Sequence, residues 1–225
     1  MKKPYKLFLL FLGFLFSVGA SAAGLHAPSG LAAGAFVGTE GAGLQLSTAL
    51  IPSTLNLNFT ASSFSKSDNF TRDGVNYNGD MTLGGEGLTL AWFPFHGGFN
   101  VFAGGWANRN KIDLTAQGNG GTYTINGTTY TSQQVGSLTG QTNFKSVAPY
   151  FGVGFGNVMD GGRLTFVSSF GAIYQGAPSV TLTATGAAAN PQLASDVQAA
   201  QNQVNSKLDS LKWWPVINVG LAYRF

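Results

Sequence analysis

The residue types able to do chemistry are sparse and scattered. The chain has two histidines, His26 and His96, and no cysteine. Without a thiol there is no disulfide framework, no thiolate metal site and no cysteine nucleophile. Two histidines far apart in the sequence, among scattered carboxylates, have neither the spacing of a metal site nor that of a nucleophile, base and carboxylate set. His96 falls in the turn-like run Trp92-Phe93-Pro94-Phe95-His96-Gly97-Gly98, where turn geometry accounts for it, and His26 lies in an N-terminal lead. The expectation is therefore no catalytic residue, no metal and no cofactor. The remaining candidates for polar work are Asp80, Glu86, Lys145, Arg163 and Arg224, together with the amides Asn56, Asn58 and Asn218, and their role depends on the elements that carry them.

Those elements read as strands. Every second residue back from Phe225 gives Tyr223, Leu221, Val219, Ile217, Pro215 and Trp213, while the alternate set is Arg224, Ala222, Gly220, Asn218, Val216 and Trp214. One face is apolar and the other mostly small or polar. Side chains alternate along a strand, so this is the pattern of a strand with hydrocarbon on one side and a polar interior on the other. Aromatics at both ends stand where interfacial girdles belong. Leu55, Leu57, Phe59 and Ala61 alternate in the same way with Asn56, Asn58, Thr60 and Ser62.

At the other end, Lys2, Lys3 and Lys6 precede an apolar run from Leu7 to Val18, and Ala20-Ser21-Ala22 supplies a small-x-small cleavage pattern. Residues 1–22 read as a secretory signal peptide, leaving 23–225 as the mature chain. No other stretch approaches the roughly 20 apolar residues of a spanning helix. Of 12 Lys plus Arg against 9 Asp plus Glu, three lysines leave with the leader, so the mature chain is balanced at nine of each. That removes nucleic acid as a partner, since phosphate binding needs a standing cationic excess. Export, 44% apolar residues, 32 glycines and 9% charged residues suit a membrane barrel better than a soluble domain.

Turn chemistry divides the mature chain into eight strands: Leu31–Thr39, Ala42–Leu50, Leu55 to about Phe64, a fourth ending at Trp92, one from Phe99 to about Ala107, roughly Leu138–Gly156, Arg163 to about Gln175 and possibly on to Thr185, and the terminal one. The first is the weakest, and residues 25–35 could instead lie in the lumen or form a periplasmic arm. The fold expected is all-β, an eight-stranded antiparallel transmembrane β-barrel with extended extracellular loops and one extracellular helix. Connections at Ile51–Thr54, Pro94–Gly98 and Asn157–Gly162 are short, as periplasmic turns are, and the polar excursions near 65–80, 108–137 and 176–212 are long, as extracellular loops are. Tyr123–Tyr130 reads as a small hairpin on an Asn126-Gly127 turn. Asn190-Pro191 reads as an N-cap followed by proline at the first helical position, with Leu193, Val197, Ala200, Val204, Leu208 and Leu211 at helical steps, so a helix is expected over about 191–210.

Strict alternation puts Glu86 on the side of Leu88, Leu90 and Trp92. An unpaired charge there would face hydrocarbon, so a bulge near Gly84, Gly85 or Gly87 is expected to turn Glu86 inward. Asn56, Asn58, Asn218 and Arg224 are expected in the lumen as well.

The segments Trp92-Phe93-Pro94-Phe95 before Gly97-Gly98-Phe99, Ala148-Pro149-Tyr150-Phe151-Gly152-Val153-Gly154, Tyr174-Gln175-Gly176-Ala177-Pro178 and Trp213-Trp214-Pro215-Val216 with the closing Leu221-Ala222-Tyr223-Arg224-Phe225 resemble a family of small proteobacterial outer-membrane proteins of unassigned function. More loosely, the chain is similar to OmpA-like and OmpW-like eight-stranded barrels. The resemblance implies location in the bacterial outer membrane, contact with its lipid and lipopolysaccharide, and a terminal Phe225 read by the barrel-assembly machinery. Barrels of that membrane that are enzymes gather Ser, His, Asp or Glu at a rim or inside, and neither histidine here has such a partner. The expected function is a structural or surface-interaction barrel without catalytic activity, for a surface ligand the sequence does not name. The alternative is a narrow OmpW-like channel for small or apolar solutes, since eight strands enclose space that side chains just fill.

Overall fold

The structure is a computed structural model that describes residues 29–72, 75–118 and 120–225. The expected leader and His26 lie outside the described residues, as does the part of the 25–35 segment before Ser29. In chain order the strands are β1 (Ser29–Gly38), β2 (Gly41–Ile51), β3 (Leu55–Arg72), β4 (Val75–Trp92), β5 (Phe99–Asn108), β6 (Lys111–Gly118), β7 (Thr122–Ile125), β8 (Thr128–Thr131), β9 (Ser137–Asn143), β10 (Val147–Phe155), β11 (Leu164–Tyr174), β12 (Ser179–Ala184) and β13 (Trp213–Arg224). A single helical turn, α1 (Ser132–Val135), follows β8, and α2 (Pro191–Leu208) precedes β13. Among the described residues no helix is long and apolar enough to cross a membrane.

Eight strands close on themselves. The antiparallel order β1-β2-β3-β4-β5-β10-β11-β13 returns to β1, which pairs β13 from Ala32↔Arg224 to Gly38↔Asn218. β1 is therefore a full member of the ring and not an arm. Closure pairs every strand on both sides, which removes the exposed edges a half-apolar sheet would otherwise present. The register shows the tilt closure demands. Partners of Leu88 lead one way through Phe59, Leu46, Ala33 and Tyr223 to Leu164. Partners of Thr89 lead the other way through Gly104 and Tyr150 to Ile173, so Leu88 comes round next to Tyr174, a stagger of ten residues along β11. Such a stagger goes with strands inclined to the axis of the ring.

Alternation sorts the side chains. Leu90, Phe151, Phe166 and Leu221 point outward with 46, 44, 57 and 52% of their surface exposed, while Ala91, Phe102, Tyr150, Val216 and Ala222 point inward and are buried. Leu57 pairs with Leu90 and shares its outer face. The turns after β2, β4 and β10 lie at the end of the ring that also carries both termini of the described chain, and the two-residue β1–β2 turn lies at the other end.

Beyond the other end, the strands do not stop where the sequence suggests loops. β3 and β4 continue as one uninterrupted hairpin to Arg72↔Val75, and β4, β6, β9 and β12 form a sheet that stands on the ring. The expected strand over 138–156 is thus two strands, β9 and β10, one in each region, and the stretch from Arg163 to Thr185 is likewise β11 and β12. Here the apolar side reverses. In the ring the odd residues of β3 are the apolar ones, but above Ser63 the even residues Phe64 and Phe70 take that part, and on β4 it passes to Val75, Tyr77, Met81 and Leu83. The change falls at Gly84, whose φ of +126° a residue with a Cβ adopts at a cost, and a Cβ there would lie 2.2 Å from the Ser62 carbonyl oxygen.

On β4, β6 and β12 the reversed face is covered by the β7–β8 hairpin and α2, while its β3 part, with Phe64 and Phe70, stays exposed. Asn126 and Gly127 at φ +51° and +83° form the expected primed turn. Asn190 caps α2 by accepting from the Leu193 amide, with Pro191 at the first position. Leu193 and Val197 then pack with Val75, Ala116, Tyr123, Ile125, Tyr130, Val135 and Ala184. α2 also serves the last strand of the sheet. Asn205 Oδ1 accepts from the Val180 amide at 2.7 Å, Asn205 Nδ2 donates to the Val180 carbonyl at 3.1 Å, and Gln201 Oε1 accepts from the Leu182 amide at 2.9 Å. The outer edge of β12 is in this way finished by side chains.

Candidate functional site: the interior and mouth of the ring

Inward positions on five strands build a stopper of aromatic rings. Phe102 lies 5.0 Å from Tyr150 and Trp106 meets Tyr150 edge-on at 5.7 Å, both ring-centroid distances of favourable aromatic contacts. Ala91, Phe93, Ala148, Ile173 and Val216 complete this cluster. The facing wall is glycine because the rings lie on it. A Cβ on Gly87 would come within 2.7 Å of the Trp106 ring, and one on Gly152 within 2.7 Å of Phe102.

Toward the short-turn end the interior holds a cavity of about 70 Å³ with a mixed wall, polar at Asn56, Asn58, Asn100 and Asn218 and apolar at Phe36 and Phe93. Asn56 is 1% exposed and its Nδ2 donates to Asn157 Oδ1 at 3.1 Å, and Asn218 Nδ2 donates to Ser169 Oγ at 3.3 Å. The amide oxygens of Asn56 and Asn218, with Thr60 Oγ1, have no protein partner. A space of this size holds a few waters, which such polar groups can bond. Arg224 closes the same end, its guanidinium donating to the Met159 carbonyl in the turn after β10. The structure therefore places Asn56, Asn58, Asn218 and Arg224 on the inner face.

Glu86 is a correction. β4 keeps an unshifted register through Ala61↔Glu86 and Glu86↔Ala107, so no bulge intervenes and Glu86 stays on the outer face with Leu88 and Leu90. Its charge is answered from outside by Arg109, with which it forms an ion pair at the end of the ring where the outer surface becomes polar. The buried carboxylate belongs to Glu40 instead. It is 1% exposed, folded over the mouth by the β1–β2 turn, and flanked by Asn110 and Gly84, yet neither oxygen has a hydrogen bond of ordinary geometry. Nothing local in Gly38-Thr39-Glu40-Gly41 marks Glu40 as buried, since its surroundings come from β4 and the segment after β5.

A second polar cluster joins α2 to the hairpin above the ring. Asp196, 5% exposed, accepts from Tyr130 Oη at 2.6 Å and from Asn126 Nδ2 at 3.1 Å. These bonds, that from Tyr130 foremost, bring its pKa down to about 2, and the same contact raises that of Tyr130. His96, at φ +56°, is exposed in the turn before β5, and no three metal-ligating side chains cluster among the described residues. Phe225 is 77% exposed at the end of β13, its ring 5.5 Å from Tyr223 and its amide donating to the Leu31 carbonyl.

No protein-family model matches the chain, and neither does any curated protein. Among solved structures it is similar to CarO of Acinetobacter baumannii, with a TM-score of 0.56 and 25% identity over 88% of this chain and 98% of that one. CarO2 of the same species gives a TM-score of 0.56 and 24% identity over 89% and 100% of the two chains. A major outer membrane protein from Thermus thermophilus aligns over 87% and 99%, with a TM-score of 0.42 and 14% identity. The chain thus has the all-β architecture of the two CarO structures over most of its length.

Proposed function

We propose that this chain is an integral β-barrel of the bacterial outer membrane, exported by a cleaved leader, whose role is structural or surface interaction and not catalysis or general diffusion. The observation that carries this reading is the combination of an outer face of exposed Leu, Phe, Val and Ile around a closed ring with an interior stoppered by Phe102, Trp106 and Tyr150. An apolar belt over strands whose backbone is paired within the ring is what hydrocarbon accepts. The long-loop end would face the outside among lipopolysaccharide, and the short-turn end the periplasm. Phe225, exposed at the end of the last strand, fits an assembly signal taken up by the barrel-assembly machinery.

A narrow conduit is the second reading, favoured by the partly polar cavity directly beneath the aromatic stopper. One reconstitution separates the two. The purified protein in planar bilayers should show no steady porin-sized current and no turnover in a lipid and peptide hydrolysis screen. Trp106→Ala with Tyr150→Ala should admit small currents. Small gated events in the unaltered protein would favour the conduit, and large steady currents or turnover would sink the proposal.

A further inference from the structure

β3 is unpartnered along one edge once it leaves the ring. Its pairing with β2 ends at Ala42↔Ser63, whereas its pairing with β4 runs on to Arg72, so the stretch from Phe64 to Thr71 has a neighbour on one side only, and every one of these residues is exposed. At about 3.3 Å per residue this is an edge more than 20 Å long. Free edges are templates for another strand and are usually guarded by charge. Here the guard is balanced. Lys66 and Asp68 flank Ser67 symmetrically, neither has an ion-pair partner among the described residues, and Phe64 and Phe70 lie three residues either side of Ser67. Phe70 is held as a platform by stacking on Tyr77 at 4.9 Å.

We propose that this edge binds the same edge of a second copy of the chain, antiparallel about Ser67. That register pairs Phe64–Phe70 of the two copies, the hairpin tip from Thr71 on turning aside where Ala42 already holds Ser63, and it sets each Lys66 opposite the partner copy's Asp68 and each Phe64 opposite the partner copy's Phe70, so a pattern that would repel a strand laid parallel in register complements one turned about a two-fold. The two-fold also fixes where the partner comes from. Antiparallel β3 strands send their rings in opposite directions, so two copies in one membrane cannot meet this way, and the partner stands in a facing membrane. Each contact is small, and many copies across two apposed surfaces act together. The inference rests on the surface-interaction reading above and names its ligand.

The chain has no cysteine, so an introduced one reports cleanly. Residues opposite each other in an antiparallel pair have Cα atoms about 4.5–5.5 Å apart, within disulfide reach. Cells carrying Ser67→Cys under two different tags, mixed with a thiol oxidant, should give a disulfide dimer bearing both tags. Ser65→Cys cells should couple to Asn69→Cys cells and neither to itself. Adding Lys66→Asp to the Ser67→Cys chain should lower the dimer several-fold, and mixing it with the Asp68→Lys version should restore it, because opposite charges then face each other again. A membrane-impermeant thiol reagent on the same cells separates the failures. Full labelling of the introduced thiol without dimer overturns the inference and leaves the surface reading intact. Protection without dimer, or dimer formed only between copies on one cell, means a different occupant and overturns it too. Absence of the thiol from the surface of cells that hold folded protein overturns the topology beneath both.

Discussion

β3 and β4 pass through both regions of the molecule, and the two halves of this one hairpin carry their apolar residues on opposite faces. In the ring, Leu57 and Phe59 with Leu88 and Leu90 face outward and the amides and hydroxyls of Asn56, Asn58 and Thr89 face inward. Above Gly84 the outer face carries Ser65, Ser67, Asn69 and Asn78, and the inner face carries Phe70, Val75 and Tyr77. The backbone ladder is unbroken across the change. What differs is the medium each face meets, hydrocarbon against a ring wall in one half and water against a small protein core in the other. A β-strand has no fixed inside, and its polarity reports the surroundings segment by segment.

The sharpest way to break this contrast is to place the same charge on the same face of the same strand in both regions. Leu90→Arg should cost about 2–4 kcal/mol if it lies near the bilayer midplane, and should sharply lower the folded, heat-modifiable protein recovered from membranes. Asn78→Arg, twelve residues earlier on that face and exposed, should stay within about 0.5 kcal/mol. Equal losses would show that the outer surface does not change character at Glu86.

The upper region can be loosened by itself. Leu193 is fully buried between α2 and the hairpin, and Leu193→Ala should cost about 2–5 kcal/mol of the docking of α2. Limited proteolysis should then cut between 190 and 212 while the ring fragment stays protected. Loss of the ring in step with the helix would mean that the two regions form one cooperative unit.

A smaller effect should follow acidification. The hydrogen bonds from Tyr130 and Asn126 lower the Asp196 pKa to about 2 from an ordinary 3.8, so their contribution is complete above the ordinary value and is lost as pH falls from about 4 through about 2. Helical circular dichroism in detergent should weaken over that window, and Asp196→Asn should remove the dependence. An unchanged titration curve in the variant would assign the acid response to other groups.

The parts legible in the sequence are those where one local demand dominates. β13 reads clearly because hydrocarbon dictates every second residue from Trp213 to Phe225, α2 because Asn190-Pro191 is a start signal, and the hairpin because Asn126-Gly127 suits a primed turn. The upper halves of β3 and β4 read as loop because Ser65, Ser67, Asn69 and Asn78 face water, and water imposes no such alternation. An inward Glu86 follows only on the premise of lipid along the whole outer face, and Arg109, brought beside it by the β4–β5 pairing, removes the need. Of the interior, the amide wall of Asn56, Asn58 and Asn218 follows from alternation. Glu40 does not, because its burial depends on strands that arrive from elsewhere in the chain. The same holds for Asp196, which lies 66 residues from Tyr130.

The hydrogen bonds that join Asn205 to Val180 and Gln201 to Leu182 have a consequence for aggregation. A sheet with two open edges can add strands without end, because each newcomer exposes a fresh edge like the one it covered. Here one edge is finished by the amides of α2, so a copy that joins through β3 offers no second edge to a third. Growth ends at a closed pair, and the amides of one helix separate a surface contact from a fibre.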